Sequence, residues 1–207
     1  MGSLLISMLK RCLYLSLLIC VQPALQAEIN WTPHLDTIFA EGTSVSTMYF
    51  SDGDKKYAIL LDGETKVESV DGGAKLTFLK PTSTVFKIRA PMTVVALPVT
   101  PDLVAEYRKH AQAYAPKDVS VFSDFEEAPD AYRFTGSKSY RVQFSYAHFG
   151  QRIRHSVTFL TFASGQQVVF DISSYEKDFP VATLRADQMI LSWCVWDATP
   201  KVKACGN

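Results

Sequence analysis

The chain of 207 residues carries 21 basic and 21 acidic side chains, and 47% of its residues are hydrophobic. This length and composition are typical of one globular domain with a sizeable core. Nucleic-acid binding would need a basic patch that displaces counterions from phosphate, and the absence of any long basic run argues against such a partner.

The N-terminus has the pattern of a secretory signal peptide. Lys10 and Arg11 precede the apolar stretch Cys12–Val21, and small residues follow up to Ala27. This order is typical of a cleaved signal, whereas a membrane-spanning helix needs about 20 apolar residues. We therefore predict that residues 1–27 are a signal peptide. The mature protein is then extracytoplasmic (periplasmic or secreted), with no stable membrane span after cleavage.

Two alternatives to this cleavage stay open. The apolar stretch could be kept as an uncleaved anchor. Cys20 could also carry the lipid of a bacterial lipoprotein, although such processing favours a small residue before the cysteine and Ile19 is bulky.

The cysteines of the mature chain predict a disulfide. Cys12 and Cys20 leave with the signal peptide, and Cys194 and Cys205 remain near the C-terminus. Two thiols at this spacing usually pair in an oxidising compartment. A redox or metal-binding pair is the alternative, but the sequence has neither a CxxC motif nor a histidine near these cysteines.

Strand patterns dominate the first half of the mature chain. We treat residues 28–45 as a leader segment and residues 46–207 as a single domain. Segments rich in β-branched and aromatic residues, which favour strands, lie at 46–50, 55–61, 65–70, 74–80, 84–90 and 92–99. Glycines in the intervening SDGD and DGG segments predict tight hairpin turns.

Two segments have helical patterns. Pro101 can open the first, with Thr100 as its N-cap, and Pro116 ends it. The apolar face of this helix consists of Leu103, Val104, Tyr107, Ala111 and Tyr114. The second is FPVATLRADQMILSWCV, which Pro180 opens and which includes Cys194. Its apolar stripe consists of Val181, Leu184, Leu191 and Val195.

The stretch Tyr140–Phe162 alternates apolar and polar residues on both sides of AHFG, as a β-hairpin does. Tyr146 then faces Gln151 across this turn. A second turn, at ASG, pairs Phe159 with Phe170 and adds a third strand. The apolar face of this meander consists of Tyr140, Val142, Phe144, Ile153, Val157, Phe159, Val168, Phe170 and Ile172. The other face carries Arg141, Gln143, Arg154, Ser156, Thr158 and Asp171.

These patterns predict an α+β fold, a mostly antiparallel sheet of roughly six to nine strands flanked by helices. The order of elements also carries a resemblance. The order begins with a strand ending in VVALPV, followed by a helix. Next comes the segment GSKSYRVQFSYAHFGQRIRHSVTFLTFASGQQVVFDISS, and last the helix FPVATLRADQMILSW. This order, over Val85–Trp196, resembles the PsbP-like and Mog-type superfamily. The resemblance implies an α/β/α sandwich, no common catalytic apparatus, and a role in binding or assembly. It carries no metal-site residues over to this chain.

No recognised catalytic or cofactor motif is present. None of the four histidines forms an HxH or HExxH pair, so no metal site is predicted. The sequence also lacks a GxSxG elbow and phosphate-binding glycine loops, and no cofactor is predicted. A triad assembled from distant positions stays open, because triads are defined by geometry. His155 is predicted to be a partly buried histidine with satisfied hydrogen bonds.

The candidate ligand-binding residues are Arg141, Arg154 and Asp171, which share the polar face of the predicted meander. Two arginines on one face could clamp a small anion. The alternative is a ladder of cross-strand ion pairs.

The leading functional hypothesis is a non-enzymatic, exported binding or assembly protein with a protein partner in the cell envelope. A second hypothesis is a small-ligand carrier with a pocket between sheet and helix and with Arg141 and Arg154 at its mouth. A third is a hydrolase whose site has no recognised motif.

Overall fold

A computed structural model of the chain describes residues 29–40 and 42–197. Within them, two antiparallel sheets form. The four-stranded sheet has the order β1-β2-β3-β11 and consists of β1 (Asn30–Ala40), β2 (Thr43–Asp52), β3 (Lys55–Leu60) and β11 (Cys194–Asp197). The seven-stranded sheet has the order β4-β5-β6-β10-β9-β8-β7. Its strands are β4 (Thr65–Val70), β5 (Gly73–Phe78), β6 (Val85–Arg89), β7 (Ser123–Pro129), β8 (Lys138–His148), β9 (Gln151–Thr161) and β10 (Gln167–Tyr175).

Two helices accompany the sheets. A short 3-10 turn, Pro101–Leu103, leads into α1 (Val104–Gln112), and α2 (Phe179–Leu191) follows β10. Tyr107 and Ala111 of α1 are buried, as predicted for this helix face. No helix in the described part of the chain is long and apolar enough to cross a membrane.

The seven-stranded sheet has a hydrophobic core on each face. Val168 and Phe170 of β10 join the core that also contains Met48 of β2 and Ile190 of α2. Val169, which lies between them in the chain, joins the core that contains residues of α1. Since successive side chains of a strand point to opposite faces, α1 covers one face, and α2 with the four-stranded sheet covers the other. The predicted α+β class, a mostly antiparallel sheet flanked by helices, is confirmed.

The segment predicted to be a leader contains a strand. Residues 30–40 form β1, which pairs with β2 from Ala40 opposite Thr43 back to Asn30 opposite Ser51. Gly42 between them has a φ of 79°, a left-handed conformation that glycine adopts without strain. Conversely, the segment 92–99 was predicted to be a strand and is a loop. Its Val95 N–H and C=O bond the Gln167 side chain rather than another strand.

The predicted apolar stripe of the last helix lies on its exposed side. Val181, Leu184 and Leu191 are 54%, 60% and 65% exposed. The residues of α2 that are buried are Phe179, Ala182, Ala186, Met189 and Ile190. The helix thus packs through a face containing two small alanines, which allow a close approach to the sheet. It also ends at Leu191, so the prediction that Cys194 lies in the helix was wrong. Cys194 begins β11, and Cys205 lies outside the described residues, so the disulfide stays a prediction.

The β8–β9 hairpin keeps the predicted faces with a different register. Its turn is Phe149–Gly150, with φ values of 48° and 72°, as a two-residue type I′ turn requires. Tyr146 therefore lies opposite Ile153 instead of Gln151. A shift of two residues leaves each side chain on its predicted face, because the side-chain period is two.

The register of β10 was predicted wrongly by one residue. Phe159 lies opposite Val169 instead of Phe170. A shift of one residue moves every side chain of a strand to the other face. Val168, Phe170 and Ile172 therefore lie on the face that carries Arg141, and Asp171 lies on the face that carries Val157 and Phe159.

Candidate functional site

A cleft of about 300 Å³ opens between the two sheets, beside the edge strand β4. One of its walls belongs to the outer part of the β1–β2 hairpin, Leu35–Phe39 paired with Ser44–Met48, which we call the ribbon. The residues lining the cleft are Leu35, Asp36, Thr37, Ser46, Leu61, Asp62, Gly63, Thr65 and Val67. The cleft therefore combines apolar side chains with hydroxyl and carboxylate groups, as binding sites usually do.

The ribbon presents apolar side chains to solvent. Leu35, Thr37 and Phe39 share one face of β1, because side chains alternate along a strand. Leu35 is 63% exposed and Phe39 is 84% exposed. Apolar side chains grouped on a surface and rimmed by polar residues mark contact sites more often than scattered ones do. This face of the ribbon is continuous with the cleft, which Leu35 and Thr37 also line.

Asp62 fixes the opposite wall of the cleft. Its Oδ1 accepts a hydrogen bond from Thr65 Oγ1 at 2.6 Å, and its Oδ2 accepts one from Arg185 Nη2 at 2.6 Å. Burial opposes ionisation of the Asp62 carboxyl, but these hydrogen bonds and the Arg185 charge outweigh it and lower the pKa. Asp62 is therefore an ionised link between the cleft and α2, with its charge already matched by Arg185.

The three predicted ligand-binding residues do not lie together. Arg141 and Arg154 lie on one face of the seven-stranded sheet and Asp171 on the other. Arg141 Nη2 donates to Asp187 Oδ1 at 2.9 Å, and Arg154 Nη2 lies 2.7 Å from Glu126 Oε1. Both arginines thus have acidic partners within the chain, one on α2 and one on β7. The prediction that all three residues share a face was wrong because β10 is inverted, and anion binding by the arginines stays a prediction.

Asp171 belongs instead to a buried polar cluster with His155. Asp171 Oδ1 lies 2.6 Å from His155 Nε2, and Tyr146 Oη lies 3.4 Å from His155 Nδ1. Lys87 Nζ lies 4.0 Å from the other Asp171 oxygen. Burial raises the pKa of the Tyr146 hydroxyl, and the charges of Asp171 and Asp118 add to this rise. His155 and Asp171 are 2% and 3% exposed, so the cluster lies inside the protein and is closed to a substrate.

Two other histidines have separate acidic partners. His110 Nε2 lies 3.3 Å from Glu106 Oε1 on α1, and His148 Nε2 lies 3.4 Å from Asp118 Oδ2 beside the β8–β9 turn. Over residues 29–40 and 42–197, no group of three or more His, Cys, Asp or Glu side chains could hold a metal ion.

Sequence reasoning missed the ribbon. The signal is the segment HLDTIFA, in which Leu35, Thr37 and Phe39 alternate with Asp36 and Ile38. It is followed by Gly42 and by a second β-branched segment, which is the pattern of a hairpin. This alternation is short and both of its faces include an apolar residue, so it indicates a strand only weakly.

The comparisons with known proteins add no family. No family model matches the chain, and no curated protein matches it. Among solved structures, PA94 of Pseudomonas aeruginosa, a protein of unknown function, matches with 11% identity and a TM-score of 0.40. That match covers 83% of this chain and 99% of that protein.

Two further solved structures match to a similar degree. CyanoP, the cyanobacterial PsbP of Synechocystis, matches with 13% identity and a TM-score of 0.42 over 80% of this chain and 94% of that one. LpqN of Mycobacterium tuberculosis, which is involved in cell envelope biogenesis, matches with 11% identity and a TM-score of 0.42 over 79% and 91%. At these TM-scores the likeness does not assign the chain to a family, and its resemblance to the PsbP-like superfamily stays a prediction.

Proposed function

We propose that the protein is a non-enzymatic, exported binding or assembly protein that contacts a protein partner through the ribbon. The observation that carries this proposal is the pair of exposed apolar side chains, Leu35 and Phe39, on an edge strand that runs into the cleft. Exposed apolar groups beside a concave surface favour contact with a partner over any role in folding.

The chemistry elsewhere in the described residues supports a binding role. The buried His155–Asp171 pair is closed to a substrate, and Arg141 and Arg154 are held by Asp187 and Glu126. These groups act as internal links between elements. The signal-peptide pattern supports an extracytoplasmic location, where a cell-envelope partner would be met.

A small-ligand carrier is the second candidate, and the cleft is the observation that favours it. The carrier was expected to have a pocket between sheet and helix, whereas this cleft lies between the two sheets. Its volume of about 300 Å³ is at the lower end for small-molecule pockets. A ligand there would contact Leu35, Leu61 and Val67 and would leave Phe39 exposed.

Affinity purification from the native cell envelope tests the proposal. A tagged protein with Leu35→Ser and Phe39→Ser should lose proteins that the unmodified protein retains. Phe149→Ser is the matched control, because Phe149 is 89% exposed at the distant β8–β9 turn. Equal retention by all three proteins would contradict a role for the ribbon.

A further inference from the structure

The open edge of the ribbon identifies a kind of partner. Among the described residues, β1 pairs only with β2 and forms one end of the four-stranded sheet. We infer that the partner of the ribbon is a second copy of this chain, whose β1 pairs antiparallel with β1 about a two-fold axis at Thr37. This inference rests on the proposed function of the ribbon and names its partner.

The backbone groups of Thr37 point to the open edge. Thr37 lies opposite Ser46 in the β1–β2 pairing, and the Ser46 carbonyl accepts a hydrogen bond at 2.8 Å from the N–H of Leu61, on the opposite side of β2. Because the N–H and C=O of one strand residue point to the same side, Thr37 and Ser46 form a pair without mutual hydrogen bonds. The N–H and C=O of Thr37 therefore point away from β2, and those of Leu35 and Phe39 do the same.

A local hydrogen bond supports this direction. The Asp36 carboxylate accepts a hydrogen bond from the Thr37 N–H at 2.8 Å. The Asp36 side chain thus accepts a hydrogen bond from an N–H group that could otherwise donate to a neighbouring strand. An added strand would replace this bond with one to a backbone carbonyl, the usual way in which an exposed edge gains a strand.

Charge and side-chain pairing select the position of the two-fold axis. An axis at Asp36 would place Asp36 opposite the partner's Asp36, and like charges in directly opposite positions are destabilising. An axis at Thr37 places Thr37 opposite the partner's Thr37, which is a favourable cross-strand pair, and Asp36 opposite the partner's Ile38. An axis at Ile38 would place Phe39 opposite the partner's Thr37 and would lose the apolar pairing described next.

With the axis at Thr37, Leu35 lies opposite the partner's Phe39. Leu35 lines the cleft, together with the apolar side chains of Leu61 and Val67. The partner's Phe39 ring would therefore enter the cleft beside Leu35, and the symmetry would repeat this contact on the other copy. One contact thus covers the exposed aromatic ring and fills the cleft. The paired segment would be Leu35–Phe39. Pro33 has no N–H to donate to a neighbouring strand, and it lies outside this segment.

The size of this contact predicts a reversible dimer. A few paired strand residues and two seated aromatic rings, each burying roughly 150–250 Å², fall short of the roughly 1,200–2,000 Å² of a stable interface. Dimers should therefore form as the protein concentration rises and dissociate on dilution.

Sedimentation velocity over a concentration series tests the inference. The unmodified protein should shift from monomer to dimer, and Phe39→Asp should weaken this association at least about tenfold by removing the aromatic contact. Phe149→Asp is the control and should sediment like the unmodified protein. A monomer at every concentration, or an association unchanged by Phe39→Asp, would overturn the inference.

Cross-linking tests the two-fold axis without changing an apolar residue. Thr37→Cys places two thiols opposite each other, and a short bis-maleimide should join two chains through them. Ser123→Cys, an exposed position on the edge strand β7, is the matched control, and the unmodified protein gives the background from its own cysteines. Cross-linking at residue 37 no faster than at residue 123 would overturn the inference. If the ribbon variants nevertheless lose an envelope partner, the proposed function stands with a different partner. If they lose none, the proposed function fails as well.

Discussion

The His155–Asp171 contact shows at the scale of single residues how this sheet tolerates buried polar groups. Asp171 lies on the face of β10 that packs on the α1 side, and His155 of β9 meets it at 2.6 Å. A buried polar group without a partner costs the free energy of its lost hydration. Each member of the pair therefore depends on the other.

His155→Ala should lower the free energy of unfolding by about 3–5 kcal/mol, because it leaves the Asp171 carboxylate buried without its close partner. Arg152→Ala is the control. Arg152 pairs with Asp124 and Glu176 on the surface, and exposed ion pairs contribute about 0–1 kcal/mol. Chemical denaturation measures both variants, and equal losses would contradict the buried pairing.

Tyr57 should make the stability depend on alkaline pH. Burial, followed by the nearby Asp52 carboxylate, raises the pKa of Tyr57 to about 12, against about 10 in an unfolded chain. Between these values the unfolded chain has lost a proton that the folded chain keeps, so the free energy of unfolding falls as the pH rises. Its contribution is complete below about pH 10 and is lost towards about pH 12.

Tyr57→Phe removes the titratable hydroxyl and should make the free energy of unfolding depend less on pH. Urea denaturation at about pH 9 and about pH 11 should show a smaller fall in unfolding free energy for the variant than for the unmodified protein. The variant should also be less stable at the lower pH, because it lacks the hydroxyl that lies within hydrogen-bond distance of Asp52 and Gln166. An equal fall for both proteins would contradict the raised pKa.

At the scale of elements, α2 is an amphipathic helix whose largest apolar side chains do not all face the core. Ala182 and Ala186 bring the helix close to the sheet, while Leu184 and Leu191 lie in solvent. Periodicity indicates that a helix is present, but it does not say which of two apolar stripes is buried.

Neighbouring residues at the end of α2 provide a matched pair of substitutions. Ile190 is fully buried and Leu191 is 65% exposed. Ile190→Ala should lower the free energy of unfolding by about 2–5 kcal/mol, because it leaves a cavity in the core. Leu191→Ala should change it by less than about 0.5 kcal/mol. Similar melting temperatures for the two variants would show that the helix face is assigned wrongly.

Strand patterns explain which parts of the sheet could be predicted. In β8 and β9, polar and apolar side chains alternate, so one face of each strand is mainly polar. This alternation placed Tyr140, Phe144 and Phe159 on the correct face. In β10 the apolar residues Val168, Val169, Phe170 and Ile172 are all buried, so alternation does not define its register. The predicted face of Asp171 depended on that register and was therefore wrong.

At the scale of the whole molecule, the two sheets share a core. The cleft lies between them, and the ribbon forms one of its walls. Met48 and Phe50 of β2 pack in the same core as Phe86 and Phe170 of the larger sheet. From Met48 towards the turn at Gly42, the β1–β2 hairpin extends away from this core. Leu35 and Phe39 on this part of β1 are exposed. The sequence predicted the α+β class, but the cleft depends on contacts between distant strands, which local patterns do not contain.

Photo-cross-linking in the native cell tests the claim that the protein acts through the ribbon. A photoreactive phenylalanine analogue placed at Phe39 should form an adduct with a protein partner upon irradiation, and mass spectrometry would identify that partner. The same analogue at Phe149, which is similarly exposed but lies at the β8–β9 turn away from the ribbon, should form little adduct. An adduct at position 39, with this chain itself as the partner if the dimer forms, is the result that we predict. No adduct at position 39, or an equal yield at position 149, would contradict the claim.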